Sequence, residues 1–257
     1  ITGTTVASNN ASIAVTFSEA VYNTSGGSGA LEASDFTLTL SGGTATLASA
    51  TPSSISSSSN TYTLGLSLSG TPNGSETITV VPSSSTAIYD AAGNAASTSQ
   101  SNNTVTLNDT TAPAITGTTV ASNNASIAVT FSEAVYNTSG GSGALEASDF
   151  TLTLSGGTAT LASATPSSIS SSSNTYTLGL SLSGTPNGSE TITVVPSSST
   201  AIYDAAGNAA STSQSNNTVT LNDTTAPAIT GTTVASNNES IAVTFSEAVY
   251  NTSGGSG

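Results

Sequence analysis

The chain has 257 residues and a net charge of −14, and it contains no Lys, Arg, His, Cys or Trp. Because no side chain can pair with a phosphate backbone, nucleic-acid recognition is excluded, and an anionic membrane surface would repel the chain. No run reaches the ~18 apolar residues of a membrane helix, so we expect no membrane insertion within this segment. Disulfides, thiolate chemistry and Cys-metal sites are excluded as well.

A 114-residue period dominates the sequence. Residues 1–114 and 115–228 are identical, and 229–257 repeat the first 29 residues with Glu239 in place of Ala11. A unit of this length has the size of an independent domain. We therefore predict one domain in 1–114, a second in 115–228 and the truncated start of a third in 229–257, all within a slice of a longer protein. The segments Thr110–Pro113 and Thr224–Pro227 predict the joints, because proline fixes φ and withholds a donor.

Taken in chain order, the first copy alternates short apolar runs with polar turns. The predicted strands are Ile1–Ala7, Ile13–Phe17, Phe36–Leu40, Ala45–Leu47, Tyr62–Leu68, Ile78–Val80 and Val105–Leu107. Between them we predict an exposed loop at Tyr22–Ala30, one helical turn at Leu31–Asp35, a Ser- and Pro-rich loop at Thr51–Asn60 and a tight turn at Asp90–Asn94.

Strands at this spacing predict an all-β fold, an antiparallel two-sheet sandwich of seven to eight strands with Greek-key connections. The period-2 alternation is clearest at Ile13, Val15 and Phe17 and in the run from Tyr62 to Leu68. Each buried side chain of this kind stabilises the fold by roughly 1.5–3 kcal/mol before entropy is subtracted. We expect these side chains to form one hydrophobic core in each copy. This core would be sufficient to stabilise a domain without disulfides.

Three segments connect the repeat with a known family: Val15–Val21, Asp90–Asn94 and Thr110–Pro113. In their order and spacing the 114 residues resemble the bacterial Ig-like repeats of large secreted surface proteins, including the type named after cyanobacterial swimming motility. The resemblance implies tandem Ig-like sandwiches joined end to end, at the cell surface or outside the cell. It also implies that the repeats form a stalk, an adhesin shaft or a fibre, since repeats of this family seldom carry catalysis. The chain departs from the family in lacking all Lys and Arg.

Carboxylate and amide oxygens are the candidate metal ligands of this chain, and hard cations such as Ca²⁺ prefer them. In a sandwich, the Glu19 segment, the Asp90–Asn94 turn and the joint around Asp109 would lie near one domain end. The candidate calcium ligands in both copies are therefore Glu19, Asp90, Asn94, Asp109, Glu133, Asp204, Asn208 and Asp223. Two other interpretations stay open: the carboxylates only keep the surface soluble, or Asp90–Asn94 is a purely conformational turn in which Gly93 takes a positive φ.

Three classes of function follow. A non-enzymatic structural repeat of a surface stalk or fibre comes first, and an adhesive module for a carbohydrate or surface ligand, stiffened by calcium, comes second. A glycan-acting enzyme is third, because two carboxylates ~5–9.5 Å apart would need a sugar-sized cleft and the chain has no Trp or basic residue to shape one. The expected partners are copies of the chain itself, joined laterally or end to end through strand edges that no Lys guards.

The sequence also holds candidate glycan acceptors in the form Asn-x-Ser/Thr. They recur in each copy, and those of the first are Asn10, Asn23, Asn73, Asn102 and Asn108.

Overall fold

The computed structural model describes residues 1–253 and 255. Within these residues the protein is all-β, with antiparallel sheets and two single turns of 3-10 helix. No described helix has both the length and the apolar character needed to cross a membrane. Residues 254, 256 and 257, at the end of the predicted third copy, lie outside the described residues.

The described chain divides into two compact units. Unit 1 comprises Ile1–Pro113, Thr138–Gly143 and Tyr203–Ala210. Unit 2 comprises Ala114–Asn137, Ala144–Ile202 and the chain from Ser211 onward.

The strands of unit 1 form three antiparallel sheets, ordered β1-β2-β6-β5, β3-β8-β9 and β4-β7. The strands are β1 (Gly3–Val6), β2 (Ser12–Thr16), β3 (Phe36–Ser41), β4 (Thr46–Leu47), β5 (Ile55–Ser58), β6 (Thr61–Gly65), β7 (Leu68–Ser69), β8 (Thr77–Pro82) and β9 (Thr104–Thr106). A 3-10 turn at Ala33–Asp35 precedes β3, where one helical turn was predicted.

Unit 2 repeats this arrangement as β10-β11-β15-β14, β12-β17-β18 and β13-β16, and adds the two-stranded sheet β19-β20. Its strands are β10 (Ile115–Val120), β11 (Ser126–Phe131), β12 (Phe150–Ser155), β13 (Thr160–Leu161), β14 (Ile169–Ser172), β15 (Thr175–Gly179), β16 (Leu182–Ser183), β17 (Thr191–Pro196), β18 (Thr218–Thr220), β19 (Ile229–Val234) and β20 (Ile241–Phe245). Its 3-10 turn is Ala147–Asp149.

The core of unit 1 receives side chains from both larger sheets. Ile13 and Val15 of β2 are fully buried, as are Ile78 and Val80 of β8, and all four belong to one hydrophobic cluster. Because successive side chains of a strand point to opposite faces, each strand contributes every second residue. The alternation predicted from the sequence is therefore confirmed for these strands.

Three aromatic rings close one part of this core. Phe17 and Tyr62 meet edge to face with ring centroids 5.8 Å apart, and Phe36 lies 6.3 Å from Phe17 and 6.2 Å from Tyr62. The Tyr62 hydroxyl donates a hydrogen bond of 3.2 Å to the carbonyl of Val21. A buried tyrosine needs such a partner, and this one ties the segment after β2 to β6.

Two sequence predictions were wrong in detail. The predicted Thr51–Asn60 loop contains β5, which pairs with β6 in the register Ser58↔Thr61. Ser59 takes a positive φ of 54° in the tight turn between the two strands. This turn brings the serines of β5 beside β6, which supplies their backbone hydrogen-bond partners. The single predicted strand Tyr62–Leu68 is divided between β6 and β7, which belong to different sheets. Each full copy thus has nine strands, more than the seven or eight predicted.

Candidate cation site

The Asp90–Asn94 turn is fixed in unit 1 by its neighbours on the chain. Tyr89, just before it, exchanges two backbone hydrogen bonds of 2.8 Å with Tyr22. Tyr89 also forms a bridge with Ala95, just after the turn. The turn is therefore held at its base on both sides, beside the segment that leaves β2.

Inside the turn, Asp90 acts as the acceptor for several donors. Its Oδ1 accepts the backbone N–H groups of Ala92 at 2.9 Å and Asn94 at 2.8 Å, and its Oδ2 accepts Asn94 Nδ2 at 2.7 Å. Hydrogen bonds lower the pKa of Asp90, first from the Asn94 side chain, then from the Asn94 backbone N–H, and less from Ala92 and Gly93. They outweigh burial, which raises this pKa. Gly93 has a φ of +89°. The predicted tight turn, with its Asp90 acceptor and the positive φ of Gly93, is thus confirmed.

Glu19 lies beside the same turn. It lines a cavity of about 300 Å³ together with Asp90 and Asn94. The α-ammonium group of Ile1 and Gln100 also line this cavity, and they are joined by a hydrogen bond of 2.6 Å. Three of the predicted ligands therefore share one cavity, whose lining does not include Asp109.

The same turn occurs a second time in unit 1, at residues 204–208. Asp204 accepts the Asn208 backbone N–H at 2.8 Å and Asn208 Nδ2 at 2.7 Å, as in the first turn. Asn208 Nδ2 also lies 3.3 Å from the carbonyl oxygen of Asp109. Carboxylate oxygens of Asp109 and Asp204 lie within 4.8 Å of each other.

The electrostatics of this pair follow from its burial and from the composition of the chain. Asp204 has no exposed surface and Asp109 is half-buried, so water screens their repulsion less than at an open surface. The chain has no Lys, Arg or His that could compensate them. Ca²⁺ takes six to eight oxygen ligands at about 2.3–2.6 Å, and Asp109 and Asp204 could supply two carboxylate ligands to such an ion.

The remaining predicted ligands belong to unit 2. Glu133 follows β11 by two residues and is half-buried. Asp223 is exposed, and its Oδ1 accepts the Thr225 N–H at 2.8 Å, just as Asp109 accepts that of Thr111. This local bond forms a turn at each predicted joint.

One acidic position that the sequence suggested for the surface is instead buried. Glu76 has no exposed surface. Its Oε1 accepts the backbone N–H groups of Thr44 at 2.7 Å and Ala45 at 2.9 Å, and its Oε2 accepts that of Asn73 at 2.9 Å. Glu190 repeats this arrangement in unit 2. The only sequence signal was the glycine pair that follows β3, because a side chain on Gly43 would overlap the Glu76 carboxyl group.

Comparison with known proteins assigns no family to this chain. No protein-family model matches its sequence, and no curated protein matches it either.

Proposed function

We propose that the chain is a non-enzymatic structural repeat of an extracellular surface protein, which builds a stalk or fibre through contacts between copies. The observation that carries this proposal is an open strand edge that recurs in both units. β5 ends its sheet in unit 1 and β14 ends the corresponding sheet in unit 2. Both strands have the sequence Ile-Ser-Ser-Ser, and all their serines are exposed.

An edge of this kind can bind another edge without special side chains. Half of the backbone N–H and C=O groups of an edge strand point away from its sheet and can pair with a further strand. Natural proteins often guard such edges with Lys, which this chain lacks. Two equal edges on one chain would let individually weak contacts add through avidity.

For the fold of each copy we propose an Ig-like sandwich. The sheets β1-β2-β6-β5 and β3-β8-β9 are antiparallel and contribute to one core. This arrangement agrees with the Greek-key sandwich that the family resemblance implies. Tandem sandwiches of one sequence would serve as rigid, evenly spaced segments of a shaft.

We further propose that calcium stiffens the shaft. The support for this is the buried Asp204 beside Asp109 in a chain without cationic side chains. A bound Ca²⁺ would remove the repulsion between the two carboxylates and hold the segment around Asp109 in place.

An adhesive module is the second candidate, favoured by a groove that recurs in both units. It has a volume of about 570 Å³ between Leu38 and Ala50 and about 500 Å³ between Leu152 and Ala164. A carbohydrate or surface ligand bound there would make the protein an adhesin, and assembly would then be secondary.

Electron microscopy of the purified 257-residue chain distinguishes the two candidates. The structural proposal expects filaments or lateral bundles in buffered salt with calcium and without any added ligand. A field of single particles at every concentration tested would contradict it and leave the adhesive module.

A further inference from the structure

The pairing of β5 with β6 determines which backbone groups of β5 are already used. Gly65 of β6 directs both its N–H and its C=O to the chain just before β5, in hydrogen bonds of 2.9 and 3.0 Å. Backbone groups alternate in direction along a strand, so Thr63 and Thr61 direct theirs to β5 as well. Their partners in the register are Ser56 and Ser58, whose backbone groups therefore point to β6.

The other two residues of β5 direct their backbone groups to the open edge of the sheet. Ile55 and Ser57 alternate with the serines that bind β6, so their N–H and C=O groups point away from it. No described residue forms a hydrogen bond with any of these groups. In unit 2 the same holds for Ile169 and Ser171 of β14, which pairs with β15 in the same register. Each edge therefore offers two donors and two acceptors.

A small cavity lies beside this edge, on the side that faces the core. It has a volume of about 120 Å³ and is lined by Ala30, Leu31, Ile55, Ser56, Ser57 and Tyr62. Leu31 and Tyr62 are core residues. Ser57 is opposite Tyr62 in the register, and opposed residues share one face of a sheet. A side chain opposite Ser57 on an added strand would therefore lie over the cavity, which has room for a single aliphatic group. Unit 2 has a counterpart of about 110 Å³ between Leu145 and Tyr176.

We propose that β5 binds β5 or β14 of a second copy of this chain as an antiparallel pair with a twofold axis at Ser56. In this register Ile55 of each copy lies opposite Ser57 of the other and fills the cavity there. The two Ile55–Ser57 pairs form four backbone hydrogen bonds, which use every free group of both edges. The inference rests on the proposed function, since it specifies the register and the inserted side chain of the same edge contact.

Neighbouring antiparallel registers use fewer of these groups. A shift by one residue places the free groups of one edge opposite groups of the other that already bind β6. If Ile55 were opposite Ile55, Ser57 would face Ser53, whose N–H is bound to Gly65. If Ser57 were opposite Ser57, Ile55 would face Ser59, which belongs to the tight turn. The register about Ser56 is therefore the one that both edges can satisfy completely.

The composition of the edge also suits a contact between copies. Residues 51–62 include no charged side chain, in a chain whose net charge is −14. Two copies that approach through this segment thus place none of its side chains in like-charge contact. Because β14 has the same sequence as β5, each chain can bind two neighbours at once, as a fibre requires.

Disulfide trapping tests the register, since the chain has no cysteine of its own. Ser56→Cys in the full-length chain should give a covalent homodimer on mild oxidation. Residues opposed in a non-hydrogen-bonded antiparallel pair have Cα atoms about 4.5 Å apart, within the disulfide range of about 4.4–6.8 Å. Ser58→Cys is the matched control, because it is exposed on the same strand. In the proposed register two Ser58 residues lie about 14 Å apart along the strand direction, so the dimer yield should be lower by about tenfold or more.

Removal of the inserted side chain tests the cavity. Ile55→Ala with Ile169→Ala should raise the concentration at which the chain associates in light scattering by about tenfold or more, because it takes an aliphatic side chain out of a buried contact. Leu68→Ala with Leu182→Ala removes half-buried side chains of similar size from β7 and β16 and should leave association unchanged. Circular dichroism reports whether both variants fold, and the cysteine pair decides the register if either does not.

The outcomes separate this inference from the proposed function. If the wild type associates but Ser56→Cys and Ser58→Cys cross-link equally, the contact is parallel or has no fixed register, and the inference is overturned while the proposed function stands. Equal association of the two folded double-alanine variants would overturn the insertion of Ile55. A wild type that stays monomeric would overturn the inference together with the proposed function.

Discussion

At the scale of single residues, the buried carboxylates of Glu76 and Glu190 each join two loops through backbone hydrogen bonds. Each holds three backbone N–H groups from two separate loops. Burial would raise the pKa of Glu190, but hydrogen bonds from Ala159, Thr158, its own N–H and Asn187 outweigh it and lower the pKa to about 2. The pKa of Glu76 is lowered for the same reasons.

We predict that Glu190→Gln lowers the free energy of unfolding at pH 7 by about 1–3 kcal/mol, because the amide cannot accept all three N–H groups. Guanidinium denaturation measures this, and Glu247→Gln, at an exposed position, is the control that should change little. No difference between the two variants would contradict the role given to Glu190.

The same carboxylate predicts a pH dependence. Its folded pKa of about 2 is below the ordinary 4.5, so its stabilising contribution is complete above about pH 4.5 and is lost as the pH falls towards 2. The difference between the wild type and Glu190→Gln should therefore shrink over this interval. A difference that stays constant down to pH 2 would show that the charge of Glu190 is not responsible.

We predict that calcium stabilises the fold through Asp204. Chelation should lower the thermal midpoint of the wild type, since a ligand at a hundredfold excess over Kd adds about 2.7 kcal/mol of stability. Asp204→Asn should abolish this difference. Asp90→Asn, the same turn position without the Asp109 neighbour, should retain it. Identical wild-type melting curves with and without chelator would remove the cation from the account.

Burial also decides among the candidate glycan acceptors. Asn10 is 3 % exposed, and its Nδ2 donates to the Asn108 carbonyl at 2.8 Å while its Oδ1 accepts the Asn108 N–H at 2.9 Å. A glycan on Asn10 would break both bonds, so this position is excluded as an acceptor in the folded protein. The pair instead ties the β1–β2 turn to the segment after β9.

At the scale of elements, the edge strands β5 and β14 are expected to make the contacts of the fibre. Ser56→Lys with Ser170→Lys places a charge on each edge, at positions that pair with Thr63 and Thr177 of the adjacent strands. We predict that this variant no longer assembles, because lysine on an edge strand opposes further pairing. Light scattering against concentration measures the effect.

The matched control adds the same charge away from the edges. Ser85→Lys with Ser199→Lys changes two exposed loop positions and should assemble like the wild type or slightly better, since it lowers the net negative charge equally. If both double variants assemble alike, the β5 and β14 edges are not the contact.

The elements also show what sequence reasoning can and cannot supply. The alternation of Ile13, Val15 and Phe17 predicts β2, because a half-buried strand requires every second side chain to be apolar. β5 has one apolar residue and three serines, so nothing in its own sequence marks a strand, and its partner β6 determines it. The burial of Glu76 depends on loops about 30 residues away along the chain, a contact that no local pattern reveals. The Asp90–Asn94 turn was predictable, because its hydrogen bonds are local.

At the scale of the whole molecule, repetition and charge act against each other. Identical copies present the same edge again and again, which strengthens association. The net charge of −14 opposes it, and the repulsion is long-ranged at low salt, where the Debye length is about 30 Å at 0.01 M and about 10 Å at 0.1 M. Assembly should therefore increase with salt, the opposite of what attraction between opposite charges would produce.

The salt dependence of the solution mass tests the central claim, that this chain is a self-associating structural repeat. Small-angle X-ray scattering at high protein concentration, from 0.01 M to about 1 M salt and with calcium present, would report the average mass. We predict a mass near the monomer at low salt that rises steeply as the repulsion is screened. A mass that stays at the 24.8 kDa of one chain at every salt concentration would contradict the account.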